Sequence, residues 1–250
     1  GGIAALLIVW LALLGIRKRS FNTRLGKVRA WVSAHVYLGT SLIIIASFHS
    51  AFQVGLNIHT LAYCLMLAVI FSGFYGVFAY IRYPAKISAL LDDRSDADNL
   101  VSLNELTRQI MTTCENLDSE LQMTISSAID RTYLGKSMWS VLRASDFSAM
   151  HRTVFGEHEI TRVEIVPNPD QQPLIDYVAK RIPRGKRATE PELLLKLLNL
   201  LTRRQQLLRD YRRAAQLRAR LKFWLFLHTP LSIALVVALI IHVISVFFYW

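Results

Sequence analysis

Residues 223–250 read FWLFLHTPLSIALVVALIIHVISVFFYW, and residues 30–81 read AWVSAHVYLGTSLIIIASFHSAFQVGLNIHTLAYCLMLAVIFSGFYGVFAYI, with no Asp, Glu, Lys or Arg in either. A helix needs ~20 apolar residues to cross the hydrocarbon core of a bilayer. The first stretch therefore holds one crossing. The second holds two, over 30–53 and 60–81, joined by a turn at Gly55-Leu56-Asn57 and stopped by Arg82 and Pro84. A third charge-free block, 1–16, predicts a helix over 3–16 that ends at Arg17-Lys18-Arg19. That helix is too short for a ~30 Å core at 1.5 Å per residue, so the sequence reads as starting partway through a longer protein. A cleaved signal peptide is the rival, although here the charges follow the apolar run instead of preceding it. Trp31, Tyr80, Tyr83, Trp224, Tyr249 and Trp250 fall near the expected interfaces, as an aromatic belt does.

The 250 residues are 53% hydrophobic with a formal net charge of +11, and the placement of that charge decides its meaning. Arg17, Lys18, Arg19, Arg24, Lys27 and Arg29 stand in one loop without an acid. Arg203, Arg204, Arg209, Arg212, Arg213, Arg218, Arg220 and Lys222 stand in another against Asp210 alone. Both clusters abut membrane segments, where the positive-inside rule and anionic headgroups account for them without nucleic acid. Putting these clusters, Arg82 and Lys86 in the cytoplasm makes the second and fourth helices parallel. Cys64 and Cys114 are the only cysteines, which supports neither a disulfide framework nor an iron–sulfur site. A soluble enzyme, a secreted disulfide scaffold and a disordered chain are excluded.

Residues 84–222 read as one cytoplasmic insert, mostly helical. The spacing of Leu103, Leu106, Ile110, Leu117, Leu121 and Ile125 predicts a helix over 100–130, and the alternation of Ile160, Val163 and Ile165 a short strand over 159–167. Pro167-Asn168-Pro169 and 182–187 read as loops. Thr189 and Glu192 form a capping box with Pro191 in the first turn, opening a long helix that runs unbroken into the last crossing. The insert has no phosphate loop, dinucleotide fingerprint or nucleophile motif. His151 and His158 read as a solvated pair, and the insert as a scaffold or docking domain.

The chemistry lies in four histidines. His35 and His49 share the second helix, His228 and His242 the fourth, each pair fourteen residues apart. That spacing is 40° short of four turns and about 21 Å of rise, so both members of a pair share a face at different depths. On parallel helices His35 faces His228, and His49 faces His242. A haem held edge-on between the helices, its iron bound axially by one histidine from each, satisfies both couples. The residue one turn from each ligand is small: Gly39, Ala46, Ser232 and Ala238. Small residues also occur where membrane helices merely pack. A zinc site would need ligands clustered closely instead of ~21 Å apart, and proton-relay histidines would need no matched couples.

The segments HVYLG through FH at 35–49 and LHTP through IH at 227–242 resemble the transmembrane dihaem b-type cytochromes. These include cytochrome b of the quinol-oxidising complexes, ferric-reductase and oxidase relatives, and membrane subunits of respiratory oxidoreductases. The likeness covers the membrane residues and none of the insert. It departs from those families in the large segment between the ligand helices and in lacking a quinone motif. It implies two haem b groups and transmembrane electron transfer, with donor and acceptor open.

The expected fold is thus an all-α membrane protein: four transmembrane helices with a dihaem-binding bundle and a mostly helical insert, divided 1–83, 84–222 and 223–250. For the inner haem propionates Arg29, Lys27, Arg220 and Lys222 are in reach; for the outer, Ser50, Gln53, Asn57 and His59 are weaker candidates. His59 has three readings open: a propionate partner, part of a quinone site, or an interfacial residue. Expected partners are membrane lipid, other electron-transfer subunits or cytochromes, and a quinone; the expected location is a bacterial inner membrane. An electron-transfer subunit fits better than a stand-alone reductase, for which the insert shows no flavin or nicotinamide domain. A haem-free membrane scaffold whose insert binds a partner is the alternative.

Overall fold

The computed structural model describes residues 1–19, 27–50, 55, 57–155, 161–182 and 190–248. It is predominantly helical: α1 Gly2–Arg19, α2 Val28–Ser50, α3 Ile58–Leu91, α4 Asp96–Cys114, α5 Ser119–Asp130, α6 Met138–Leu142, β1 Ala149–Phe155, β2 Thr161–Pro167, a 3-10 turn at Pro169–Gln171, α7 Gln172–Arg181 and α8 Glu190–Phe248. The chain divides into two compact units, Gly1–Ile81 with Leu221–Trp250, and Arg82–Arg220.

In the first unit, α2, α3 and α8 are long and apolar enough to cross a membrane, while the apolar part of α1, Gly2–Gly15, is shorter. Ala4 and Ile8 of α1, Leu42 of α2, Met66 and Ile70 of α3 and Leu235 of α8 form one buried cluster. Outside it, Tyr37, Ile44, Phe48, Phe78, Phe226 and Phe247 are exposed. Large apolar side chains facing outward all round a bundle suit a hydrocarbon solvent. Trp10 and Trp31 stack at 5.1 Å, tying α1 to α2. Ser47 gives its hydroxyl proton to Ile43 O at 2.6 Å, so the Tyr63 hydroxyl 2.7 Å away is the donor to Ser47 Oγ and links α3 to α2.

The helix limits differ from the expectations in instructive ways. Pro84 does not stop α3, which continues to Leu91. A proline removes only one helical hydrogen bond and crowds one carbonyl. The chain turns at Asp92 and Asp93, both left-handed with φ of 53° and 55°. Pro230 is likewise carried inside the 59-residue α8. The expected helix over 100–130 is two helices, because Glu115–Asp118 turns between α4 and α5, with Leu117 N–H bonded to Cys114 O at 2.9 Å. The insert is not all helix. β1 and β2 pair antiparallel, with Met150 opposite Val166 and His151 opposite Ile165. Trp224 and Tyr83 are packing residues, Tyr83 being buried. Thr189, Gln53, Ile160, His158, Tyr249 and Trp250 lie outside the described residues.

The second unit has its own core: Ile110 and Cys114 of α4, Leu121 and Ile125 of α5, Met150 of β1, Leu174 and Val178 of α7, and Leu194, Leu197 and Leu201 of α8. Asp146 organises its polar side. It accepts from Arg212 at 2.6 and 3.1 Å, from Ser148 Oγ at 2.6 Å and from the Asp170 N–H at 2.6 Å. Burial raises the Asp146 pKa, but these bonds outweigh it and hold the carboxyl below its usual value.

Candidate metal centre

Cross-helix contacts fix the strand of each helix in the first unit. Ser47 of α2 meets Tyr63 of α3, and toward the ends of these helices His49 meets His59. His59 also meets His242 of α8, while Ser72, further along α3, meets His228, earlier on α8. Helix α3 is therefore antiparallel to both neighbours, and α2 is parallel to α8.

At one end of this arrangement stand three imidazoles. His49, His59 and His242 each offer a ligand nitrogen, and the three nitrogens lie within 4.8 Å of one another. The ring centroids of His59 are 5.6 Å from His49 and 5.0 Å from His242. The capping of α3 brings this about. Asn57 Oδ1 accepts from the Thr60 N–H at 2.9 Å, and Thr60 Oγ1 accepts from the Gly55 N–H at 3.1 Å. His59 is thereby fixed in the first turn of α3, level with the last turn of α2. Asn57 is engaged as a cap, which is a structural role distinct from the propionate contact considered for it. Ser50 is buried and donates to Ser47 O at 3.0 Å within its own helix.

The other level lies about 21 Å along α8 and about 20 Å along α3 by helical rise. Here His228 Nδ1 is 2.7 Å from Ser72 Oγ. Ser72 has one hydroxyl proton and gives it to Val69 O at 2.8 Å. His228 is therefore the donor through Nδ1–H, and the imidazole lone pair falls on Nε2. The Trp224 indole N–H donates to Ser72 O at 2.8 Å and its ring lies 5.1 Å from that of His228. The indole lies against Gly76, where a Cβ would come within 2.0 Å of it. A Cβ on Gly73 would stand 3.8 Å from His228 Cε1. His35, fourteen residues before His49 on the parallel helix, shares this height; it is half-buried, with Nδ1 inside the unit.

The small residues beside the ligands take different surroundings. A Cβ on Gly39 would point toward α1, 4.0 Å from Leu11 Cδ1. Ala46 packs on the bundle core and Ala238 is buried. Ser232 is half-buried and returns its proton to His228 O at 2.8 Å. Arg29 and Arg220 are exposed. Sequence reading missed Ser72, Trp224 and the two glycines as parts of the site. A signal was present: Ser72 lies thirteen residues from His59, nearly the spacing of the histidine pairs.

Two imidazole nitrogens across one metal ion, each bound at ~2.0–2.1 Å, stand about 4 Å apart. The His49 and His242 nitrogens lie within 4.8 Å of each other, a bound that includes this span. His59 stands in the same cluster and would have to turn aside for a porphyrin to be held there. His49 and His242 are thus a donor pair of the right chemistry for such a group. Compared with protein-family profiles, curated proteins and solved structures, the chain matches none.

Proposed function

We propose that this chain is a membrane electron-transfer protein that binds two haem b groups, one above the other, between α2 and α8. The observation that carries the reading is the convergence of His49 and His242 from two parallel helices to within 4.8 Å; His35 and His228, each fourteen residues earlier on the same two helices, would supply the second couple. In this reading α1 is a fourth membrane helix and the basic clusters put the second unit in the cytoplasm of a bacterial inner membrane. When bound, the haem iron supplies reversible one-electron chemistry.

The protein's part is to hold, orient and insulate. His35 and His228 bind at the inner level, His49 and His242 at the outer. Ser72 holds His228 in the tautomer that presents Nε2, as outer-shell donors of metal-bound histidines do. Trp224, Gly73 and Gly76 close α8 against α3 and keep water from that level. Exposed Arg29 and Arg220 neutralise propionates at the inner surface. Electrons pass between a membrane quinone pool and a partner cytochrome or subunit across the membrane.

A specific feature also favours the scaffold reading. The second unit has a cleft of about 320 Å³ bounded by Tyr133, Ser140, Asp170, Arg209 and Arg213, of a size that suits a small ligand or a partner's side chain. A reduced-minus-oxidised spectrum and a pyridine haemochrome count on the purified chain separate the two readings: two b-type haems per chain for the first, none for the second.

A further inference from the structure

The convergence of three imidazoles exceeds what an axial haem couple needs. We propose that His49, His59 and His242 form a binding site for a bare divalent transition-metal ion of the zinc or cobalt type. The site shares two residues with the haem reading but does not depend on it: the ion needs only the three rings and no porphyrin.

The geometry is that of a nearly closed ligand set. If all three nitrogens stood at the 4.8 Å limit, the point equidistant from them would lie about 2.8 Å from each, against ~2.0–2.1 Å for a zinc–imidazole bond. Each ring then moves inward by less than ~1 Å, within the reach of small χ rotations. Three neutral nitrogen donors with a fourth position left for water is a standard coordination for zinc, and imidazole also suits cobalt and copper. The rings come from three different helices, so the ion would fasten α2, α3 and α8 at one end. His49 is exposed and His59 and His242 are half-buried, which gives an aqueous ion a path in. The Asn57 and Thr60 bonds hold His59 where it completes the set. Because His49 and His242 serve both ligands, a bare ion and a haem at this level exclude each other.

The test is a Co²⁺ titration of the full-length chain, purified in detergent from haem-limited cells and followed by visible d–d absorption. One Co²⁺ per chain, with the intense bands of a low-symmetry four-coordinate site and displacement by Zn²⁺, is expected. Outer-shell partners alone change metal affinity roughly 10–100-fold, so His59→Gln should weaken binding by at least that much. His151→Gln, on β1 of the other unit, should leave the titration unchanged. His59→Cys covers the case in which His59→Gln fails to fold, because it should add a sulfur-to-cobalt charge-transfer band only if position 59 touches the ion. Unaltered Co²⁺ affinity in His59→Gln, no charge-transfer band in a folded His59→Cys, or no stoichiometric binding by the parent chain would overturn the proposal. A haem count on the same chain grown with haem keeps the readings apart. Two haems with no cobalt site sinks only this inference; a cobalt site with no haem sinks only the electron-transfer reading.

Discussion

Ser72 and His228 meet across α3 and α8 at 2.7 Å, with the proton on His228 Nδ1 because the Ser72 hydroxyl proton is already given to Val69 O. A polar pair of this kind inside an apolar bundle fixes both a tautomer and a ring orientation. It leaves Nε2 as the acceptor nitrogen of the His228 ring.

In the two-haem reading, removing that hydrogen bond should be felt at the inner haem. Ser72→Ala should weaken retention of the inner haem by roughly 10–100-fold, as loss of an outer-shell partner does, and should shift its midpoint potential while leaving the outer haem unchanged. Ser72→Thr should restore both. A redox titration resolving the two haems checks this; equal shifts at both would show that Ser72 acts only through the fold.

Gly76 and Gly73 should respond differently to the same added methyl. A Cβ at Gly76 would lie 2.0 Å from the Trp224 ring, whereas at Gly73 the nearest atom is 3.8 Å away. Overpacking of this kind costs ~1–3 kcal/mol. Gly76→Ala should lower the thermal midpoint in detergent and Gly73→Ala should change it little. Equal effects would contradict the described packing of α8 on α3.

Much of the first unit is legible in the sequence because exclusion of charge from hydrocarbon is a strong constraint. Blocks 30–81 and 223–250 supply the three helices long and apolar enough to cross a membrane, and fourteen-residue spacing puts the histidines on shared faces whatever the side-chain detail. The rest depended on local competition. Pro84 looked like a stop because a proline disfavours helix, but the true end needed Asp92 and Asp93 to turn left-handed. The α4–α5 break was hidden because apolar spacing continues across it into a common core. His59 was visible as a residue but not as a third member of the cluster. Its position depends on how Asn57 caps α3, and a cap sets a height that helical periodicity does not carry.

The second unit should lose stability in acid. Burial raises the Asp146 and Glu120 pKa values, but hydrogen bonds from Ser148, Asp170 and Arg212 to the first, and from Arg181 and Tyr177 to the second, leave both lowered. A carboxyl whose folded value lies below its unfolded one contributes stability that is complete above the unfolded value and is lost as pH falls through the folded one. Circular dichroism of the full chain across pH 7 to ~2 should show this loss. Asp146→Ala should cost about 3 kcal/mol at neutral pH, since it leaves the partly buried Arg212 guanidinium with the neutral acceptors Tyr133 O and Ser148 Oγ in place of its carboxylate. A pH-independent signal in the parent chain would contradict the assignment.

Among the described residues, Arg204 is 4% exposed and is met by neutral acceptors, Thr107 Oγ1, Gln171 Oε1 and Thr132 Oγ1, at 3.1 to 3.4 Å. Burial pushes its pKa down to about 10. Desolvating a cation carries a cost that neutral acceptors at these lengths offset poorly, so Arg204→Met should be neutral or stabilising by ~1–4 kcal/mol in chemical denaturation. Clear destabilisation would mean that the long hydrogen bonds contribute more than the desolvation costs.

The most direct measurement is the haem content of the chain expressed with ample haem, by pyridine haemochrome, beside its His35→Ala and His49→Ala variants. Two b-type haems in the parent and one in each variant, with the inner haem lost from His35→Ala and the outer from His49→Ala, is the expected result. A folded parent chain without haem, or a count unchanged by either substitution, would contradict the electron-transfer reading.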